Sequence, residues 1–272
     1  MRKILSRFGL GRLPFTREVD LPDLFLSPSA KENLAALKAA VEGRASAVLT
    51  GDPGTGKTFL LRALEGTLNP SRFRVTYIHN AKVSRRDFYR QLSSALGLEP
   101  KASAPALFRR IQTHIEEMAS GQKVHPVLVL DEAHLLPFSV LEHLHILLNY
   151  QRDSRSFLSL ILVGLPQLRE VLKRNLLASL AARLPVRIAL EPLDVSGVDA
   201  YLRHRMKIAG SSQEVFSEEA YLFIREATGG VMRKIDVLAL TCLGLVSKEK
   251  RSTIVDGKTV QEALKICAEV LH

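Results

Sequence analysis

The chain has 272 residues, 46% of them hydrophobic and 24% charged, with a formal net charge of +10. That length suits one large domain or two modest ones, and the balance is that of a globular protein, which excludes a disordered or fibrous chain. The basic excess points to a polyanionic partner, either nucleic acid or an acidic membrane surface.

Residues 1–28 read as an irregular segment, interrupted by Pro14, Pro22 and Pro28 and carrying the apolar Phe8, Leu10, Phe15, Leu24 and Phe25. Met1-Arg2-Lys3 is not followed by an apolar signal-peptide core. Ser29 reads as the cap of a helix reaching about Glu42. Ala47-Val48-Leu49-Thr50 is a short apolar run that predicts a buried strand, and residues 59–64 have helical spacing. Between them Gly51-Asp52-Pro53-Gly54-Thr55-Gly56-Lys57-Thr58 fits G-x-x-x-x-G-K-[ST]. In a strand–turn–helix context, consecutive backbone N–H groups and the helix N-terminus form a positive nest for phosphate oxygens. Gly51 through Phe59 are therefore candidate nucleotide contacts. Lys57 is placed on the β- and γ-phosphates and the Thr58 hydroxyl on Mg²⁺.

Val75-Thr76-Tyr77-Ile78 predicts the next strand, and Ser84-x-x-Asp87 opens an amphipathic helix with Phe88, Leu92 and Leu96. A link with Pro100 and Pro105 leads to a helix over 106–119. Val127-Leu128-Val129-Leu130 reads as a central parallel strand, apolar on both faces. A helix over 139–148, a strand over 158–163, helices over 167–173 and 176–182 and a strand over 186–190 follow. Strands alternating with helices predict an α/β fold with a parallel, doubly wound sheet. From Val195 the spacing is helical: 198–209, 217–228, 232–246 and 258–271, separated by Gly210, Gly229-Gly230 and Asp256-Gly257. The expected division is thus an N-terminal segment (1–28), an α/β nucleotide-binding domain (29–193) and a small helical lid (194–272). Cys242 and Cys267 form no C-x-x-C pair and read as core thiols of a reducing compartment. The apolar runs 157–165 and 237–246 are too short to span a bilayer, so the chain is expected to be cytoplasmic and unanchored.

Asp131-Glu132 closes the apolar strand over 127–130, at the end where open α/β sheets bind ligands. Asp131 is the candidate Mg²⁺ carboxylate, and Glu132 the candidate that orients the attacking water. Asp131-Glu132-Ala133-His134 also spells a helicase box, but the helical remainder is too short for a second motor domain. No Asn-Lys-x-Asp guanine reader stands out, which favours ATP over GTP. The eight histidines supply no metal site; His143 and His145 face different ways on a helix.

With these motifs in view, the chain resembles the AAA+ ATPases, and among them the ExeA-type secretion ATPases and the transposition helper ATPases (MuB, TnsC, TniB, IstB). The resemblance runs over nearly the whole length. It is carried by Phe8-Gly9-Leu10, Pro14-Phe15 and Leu24-Phe25-Leu26-Ser27-Pro28-Ser29 at the entrance. Further along it rests on Leu130-Asp131-Glu132-Ala133-His134-Leu135-Leu136, on Leu162-Val163-Gly164-x-Pro166-x-Leu168, on Leu180-Ala181-Ala182-Arg183-Leu184 and on Thr228-Gly229-Gly230-Val231-Met232-Arg233. It implies that Arg183 is the finger reaching a neighbouring subunit's ATP, with Arg155, Arg174 and Arg187 as rivals. It implies that Arg233 contacts the γ-phosphate in its own subunit. Two positions depart from the pattern. Leu165 stands where a polar residue follows Gly164, the next polar side chain being Gln167, which suits a slow, partner-stimulated ATPase. Met232 stands where proline precedes the arginine. Phe15 and Phe25 are assigned to the adenine pocket, since apolar walls hold a flat base.

Secretion-type relatives continue into a membrane helix and a cell-wall-binding domain, and this chain stops after the lid. The resemblance to the soluble transposition helpers therefore implies a homo-oligomer, ring or filament, that binds double-stranded DNA with little regard to sequence and recruits an integrase-type transposase. An ExeA-like transport ATPase is the alternative, and a loader related to replication initiators a third reading. The DNA grip is placed at Lys82, Ser84, Arg85 and Arg86, with Arg109, Arg110 and Lys123 as second choices. Phosphate contacts of this kind are salt-dependent.

Overall fold

The computed structural model describes residues 2–79, 83–100, 103–211, 213–248 and 253–271, the side chains of 270 and 271 excepted. In chain order these form α1 (Arg2–Phe8), α2 (Pro28–Glu42), β1 (Ala47–Gly51), α3 (Lys57–Thr67), β2 (Phe73–His79), α4 (Arg85–Ala95) and α5 (Ala104–Glu116). Then come β3 (His125–Asp131), α6 (Phe138–Leu147), β4 (Ser159–Gly164), α7 (Gln167–Leu172), α8 (Ala178–Ala182) and β5 (Val186–Leu190). The chain finishes with α9 (Val195–Ile208), α10 (Glu218–Thr228), α11 (Met232–Val246) and α12 (Gly257–Leu271).

One unit gathers residues 32–52 and 60–190. Its five strands are all parallel and lie in the order β2-β3-β4-β1-β5. The α/β class expected from the alternating pattern is the one observed. Burial follows position in the sheet. Every residue of β1, β3 and β4 is buried, whereas β2 and β5, at the edges, alternate or lie half-buried. Central strands covered on both faces need continuous apolar runs, and edge strands do not. Pairing with Phe73 of β2 extends β3 to His125, beyond its apolar run, and the buried His125 Nε2 pairs with Ser159 Oγ at 2.9 Å. The carboxyl ends of β1, β4 and β3 stand side by side, with Thr50 opposite Gly164 and Leu130 opposite Leu162.

The other unit gathers residues 1–31, 53–59 and 191–272. Its core joins Ile4, Leu10 and Phe15 to Val198, Tyr201, Ile235, Leu238 and Cys242. Cys242 and Cys267 are buried free thiols, and burial pushes the Cys242 thiol up to about 12. The N-terminal segment is not irregular throughout, as its prolines suggested. Ile4, Leu5 and Phe8 give α1 an inward stripe at helical spacing, and Gly9 ends it at φ +62°. Helix α2 opens at Pro28 instead of Ser29: proline suits the first helical position, and Ser27 Oγ accepts the Ala30 N–H at 3.2 Å.

The segment 10–25 is bound to α9 by a buried cation. Arg205, 2% exposed, donates to the Pro14 and Thr16 carbonyls at 2.7 Å each and to the Tyr201 hydroxyl at 3.1 Å. Tyr201 in turn donates to Asp236 Oδ1 at 2.6 Å. An arginine out of water needs its donors filled, and two main-chain carbonyls fix the segment that provides them.

Candidate functional site

Strand β1 runs out at Gly51, and the glycine-rich turn that follows adopts backbone angles only glycine takes without strain: φ is +84° at Gly54 and +98° at Gly56. The start of α11 lies against this turn. A Cβ on Gly54 would stand 2.8 Å from Arg233 Cβ and 3.0 Å from Val231 Cγ1, and one on Gly56 2.4 Å from Met232 Cε. The Arg233 N–H faces the Gly54 carbonyl at 3.4 Å. Met232, where the sequence departs from its family pattern, fills the space over Gly56 and opens α11. Arg233 itself is exposed. Helix α3 starts directly with Lys57, whose side chain is buried, and Thr58 is exposed in the next position. Gly51 and Thr55 are buried, Asp52 and Pro53 exposed, and Gly54, Gly56 and Phe59 half-buried.

At the carboxyl end of β3, Asp131 is 5% exposed. Its Oδ1 accepts the Glu132 N–H at 2.8 Å, and its Oδ2 accepts the Tyr77 hydroxyl in a short hydrogen bond. His79 Nδ1 lies 4.0 Å from the same oxygen. Burial, the hydrogen bond to Asp131 and the charges of Asp131 and Glu132 all push the Tyr77 phenol upward, so it stays a donor at neutral pH. Glu132 takes the left-handed conformation, φ +52° and ψ +34°. For a residue with a side chain this costs roughly 1–3 kcal/mol, and strained backbone of this kind clusters at functional sites. His134 Nε2 lies 3.6 Å from Glu132 Oε2. At the foot of the glycine turn, Arg169 Nε donates to Thr50 Oγ1 at 2.7 Å, and Thr50 donates to the Ile188 carbonyl at 3.3 Å. Gln167 is exposed at the start of α7.

Arg183 ends α8. Its Nη2 donates to Asp153 Oδ2 at 2.5 Å and its Nη1 to the Ser179 carbonyl at 3.0 Å. Asp153 closes a run of three left-handed residues, Gln151, Arg152 and Asp153, at φ +48°, +59° and +66°. Of the rival arginines, Arg187 on β5 reaches the Ala181 carbonyl at 3.5 Å, Arg155 bridges Tyr150, and Arg174 precedes a tight turn. Phe15 is buried edge-on to Phe216 with the Arg205 guanidinium over its ring, and Phe25 packs on Tyr201 and His204. Ser84 caps α4: its Oγ accepts the Asp87 N–H at 3.2 Å and donates to Asp87 Oδ2 at 2.6 Å. Arg85 and Arg86 are exposed on the first turn of that helix, while Lys82 lies outside the described residues.

The site is therefore a set of neighbourhoods. The glycine turn meets Arg233; Asp131 meets Tyr77 and Glu132; Glu132 meets His134; Arg183 meets Asp153. Tyr77, Arg169 and Asp153 carry no motif, and His134 stands in the Asp131–His134 motif without an assigned role, so only the pairing of strands and the turn conformations point to them. Among the described residues no group of three or more His, Cys, Asp or Glu that could hold a metal ion comes together. No helix of the described residues is long and apolar enough to cross a membrane.

Residues 40–172 match the family model described as an AAA domain. With the parallel sheet, the glycine turn leaving β1 and the buried aspartate ending β3, this defines the class: residues 40–172 carry an AAA domain, the nucleotide-binding module of the AAA+ ATPases. Within that class it is similar to general secretion pathway protein A of Aeromonas hydrophila, 35% identical over 236 residues, covering 85% of this chain and 42% of that protein. The chain thus spans less than half the length of this curated relative. In fold it is similar to Cdc6p from Pyrobaculum aerophilum, with a TM-score of 0.73, 19% identity, and 93% of this chain and 70% of that one covered. It is likewise similar to the Aeropyrum pernix ORC1 protein in complex with DNA, with a TM-score of 0.64, 17% identity, and 94% and 68% covered. The named sequence relative is a secretion-pathway protein. It supports the transport alternative drawn from the sequence and lends nothing to the transposition-helper reading or its transposase partner.

Proposed function

We propose that the chain is the ATP-driven motor module of a secretion-protein-A-type AAA+ ATPase. The observation that carries this reading is the 35% identity over 236 residues to a secretion-pathway protein. The residues of the glycine turn hold the triphosphate through main-chain N–H groups. Lys57 neutralises the β- and γ-phosphates. Thr58 and Asp131 offer oxygen ligands, and their chemistry fits Mg²⁺, which keeps several waters and takes one or two protein oxygens beside the phosphates. The ion, when bound, neutralises charge on the transferred phosphoryl group. Glu132 orients and polarises the attacking water. Arg233 joins the helical unit to the state of the glycine turn, which it adjoins. Arg183 serves a neighbouring copy, so that the working form is a homo-oligomer. Phe15 and Phe25 belong to the segment beside the base.

The test uses the full chain. Lys57→Ala should weaken ATP binding at least 100-fold, about 3 kcal/mol, and in cells should impair protein export while leaving transposition frequency unchanged. Impaired transposition with normal export would overturn the transport reading.

A second reading, ATP-dependent binding to duplex DNA, is favoured by the net charge of +10 and by the exposed Arg85 and Arg86 at the start of α4. Salt-sensitive binding to random duplexes with a non-hydrolysable ATP analogue would support it; no binding at low salt would refute it.

A further inference from the structure

Strand β4 ends at Gly164, and the residue after it, Leu165, offers no polar side chain to the site. What it does offer is a main-chain N–H, and His134 Nδ1 accepts it at 3.4 Å. A neutral imidazole that accepts at Nδ1 carries its proton on Nε2. That Nε2 is the atom 3.6 Å from Glu132 Oε2, ion-pair distance and a few tenths of an ångström longer than a hydrogen bond, so the N–H side of the ring is the one beside the carboxylate.

Three features hold the ring there. The His134 side chain is 12% exposed, so it has little room to swing. Gly164 leaves the space the ring occupies, since a Cβ there would stand 3.0 Å from Nδ1 and 3.3 Å from the His134 main-chain nitrogen. The left-handed backbone at Glu132 and the tight turn Ala133–Leu135 fold the carboxylate and the imidazole toward each other, although the two residues are only two apart in sequence.

We propose that His134 is a positioning residue for ATP hydrolysis. It holds the Glu132 carboxylate through Nε2–H and ties it to the end of β4 through the Leu165 N–H, a link made by main chain where Leu165 lacks a polar side chain. This rests on the reading of Glu132 as the water-orienting carboxylate. Misplacing such a group by a fraction of its reach costs rate and not substrate affinity.

The experiment compares His134→Gln, His134→Asn, His134→Ala and Glu132→Gln in the full chain, measuring kcat and the Kd for a fluorescent ATP analogue. Glutamine places its carboxamide where Nε2 stands and can still donate to Glu132. Asparagine reaches only the Nδ1 position. His134→Ala and His134→Asn should lose about 10- to 100-fold in kcat with Kd changed less than threefold. His134→Gln should recover most of that loss. In the Glu132→Gln background His134→Ala should cost nothing more, because the group it positions is gone. Full turnover in His134→Ala beside an inactive Glu132→Gln would overturn the role of His134 alone. So would an asparagine variant as active as the glutamine one, or equal losses in Kd and kcat. Unchanged turnover in Glu132→Gln would overturn the reading of Glu132 beneath it.

Discussion

Replacing Arg205 by Met tests the clamp that binds the N-terminal segment to α9. Methionine keeps an apolar stem and deletes the guanidinium, leaving the Pro14 and Thr16 carbonyls without their 2.7 Å donors and Asp236, 3.9 Å away, without its cation. Hydrogen bonds to a charged group contribute about 1.5–3 kcal/mol each, and breaking a buried pair costs about 3–5 kcal/mol. Because one group makes all of these contacts, the larger figure is the total, and a loss of about 4 kcal/mol is expected at pH 8. The loss should depend on pH in a stated direction. Burial pushes the Asp236 carboxyl up to about 6 from 3.8, against the charge of Arg205 and the Tyr201 hydroxyl, which pull it down. Its folded value is the higher one, so its protonated form favours the fold below pH 3.8, and that contribution is lost as pH rises through about 6. At about 1.4 kcal/mol per pH unit the full swing is about 3 kcal/mol. Deleting Arg205 removes a group that holds Asp236 down, which enlarges the cost where Asp236 is ionised. At pH 5 the carboxyl is protonated in both folded proteins and needs no cation, so the variant should lose about 2 kcal/mol less there than at pH 8. The chain has no Trp, so urea unfolding followed by far-ultraviolet circular dichroism at the two pH values is the assay. A loss below about 1 kcal/mol at pH 8, or an equal loss at both, would refute the reasoning.

Gly230→Ala should destabilise the helical unit by about 2–5 kcal/mol, because Gly230 lies at φ +76° and a Cβ there would stand 1.9 Å from the Leu193 carbonyl oxygen. Its neighbour Gly229, at φ +61° with nothing within 4 Å, is the control and should cost only about 1 kcal/mol as alanine; equal melting shifts would show that the close approach to Leu193 is unimportant. Arg183→Ala should leave ATP binding intact and lower turnover by about 10³-fold, with partial recovery on mixing with Lys57→Ala if Arg183 acts on a neighbouring copy. Retained turnover would pass the role to a rival arginine. Asp153→Asn should change stability by less than about 1 kcal/mol, since the pair it breaks is half-exposed; a melting shift equivalent to several kcal/mol would contradict that.

The sheet was legible because its central strands obey one rule. Strands buried on both faces are mostly apolar with no alternation, so 47–50, 127–130 and 158–163 stood out as strands. All three differ from expectation at their ends, where main-chain pairing carries a strand past its apolar run, as His125 opposite Phe73 does for β3 and Gly51 opposite Leu190 for β1. The C-terminal helices were legible from 3.6-residue spacing and from the glycines between them. Helix α1 was not. Its seven residues are too short for a periodic pattern to stand out, and prolines further along the segment suggested irregular chain.

What spacing could not reach is the partnership of side chains brought together by strand order. Tyr77 and Asp131 are 54 positions apart, yet β2 and β3 are neighbours with His79 opposite Asp131, so Tyr77 lies two steps back on the adjoining strand. Leu165 looked like a gap in the catalytic pattern because a sequence displays side chains and hides main-chain N–H groups. In the fold, that N–H is taken by His134, a residue to which the motif reading gave no role. A missing polar residue at one position is therefore no measure of what the site lacks. The relevant question is whether some other atom supplies the donor, and that is decided by register and turn conformation, neither of which a linear motif encodes.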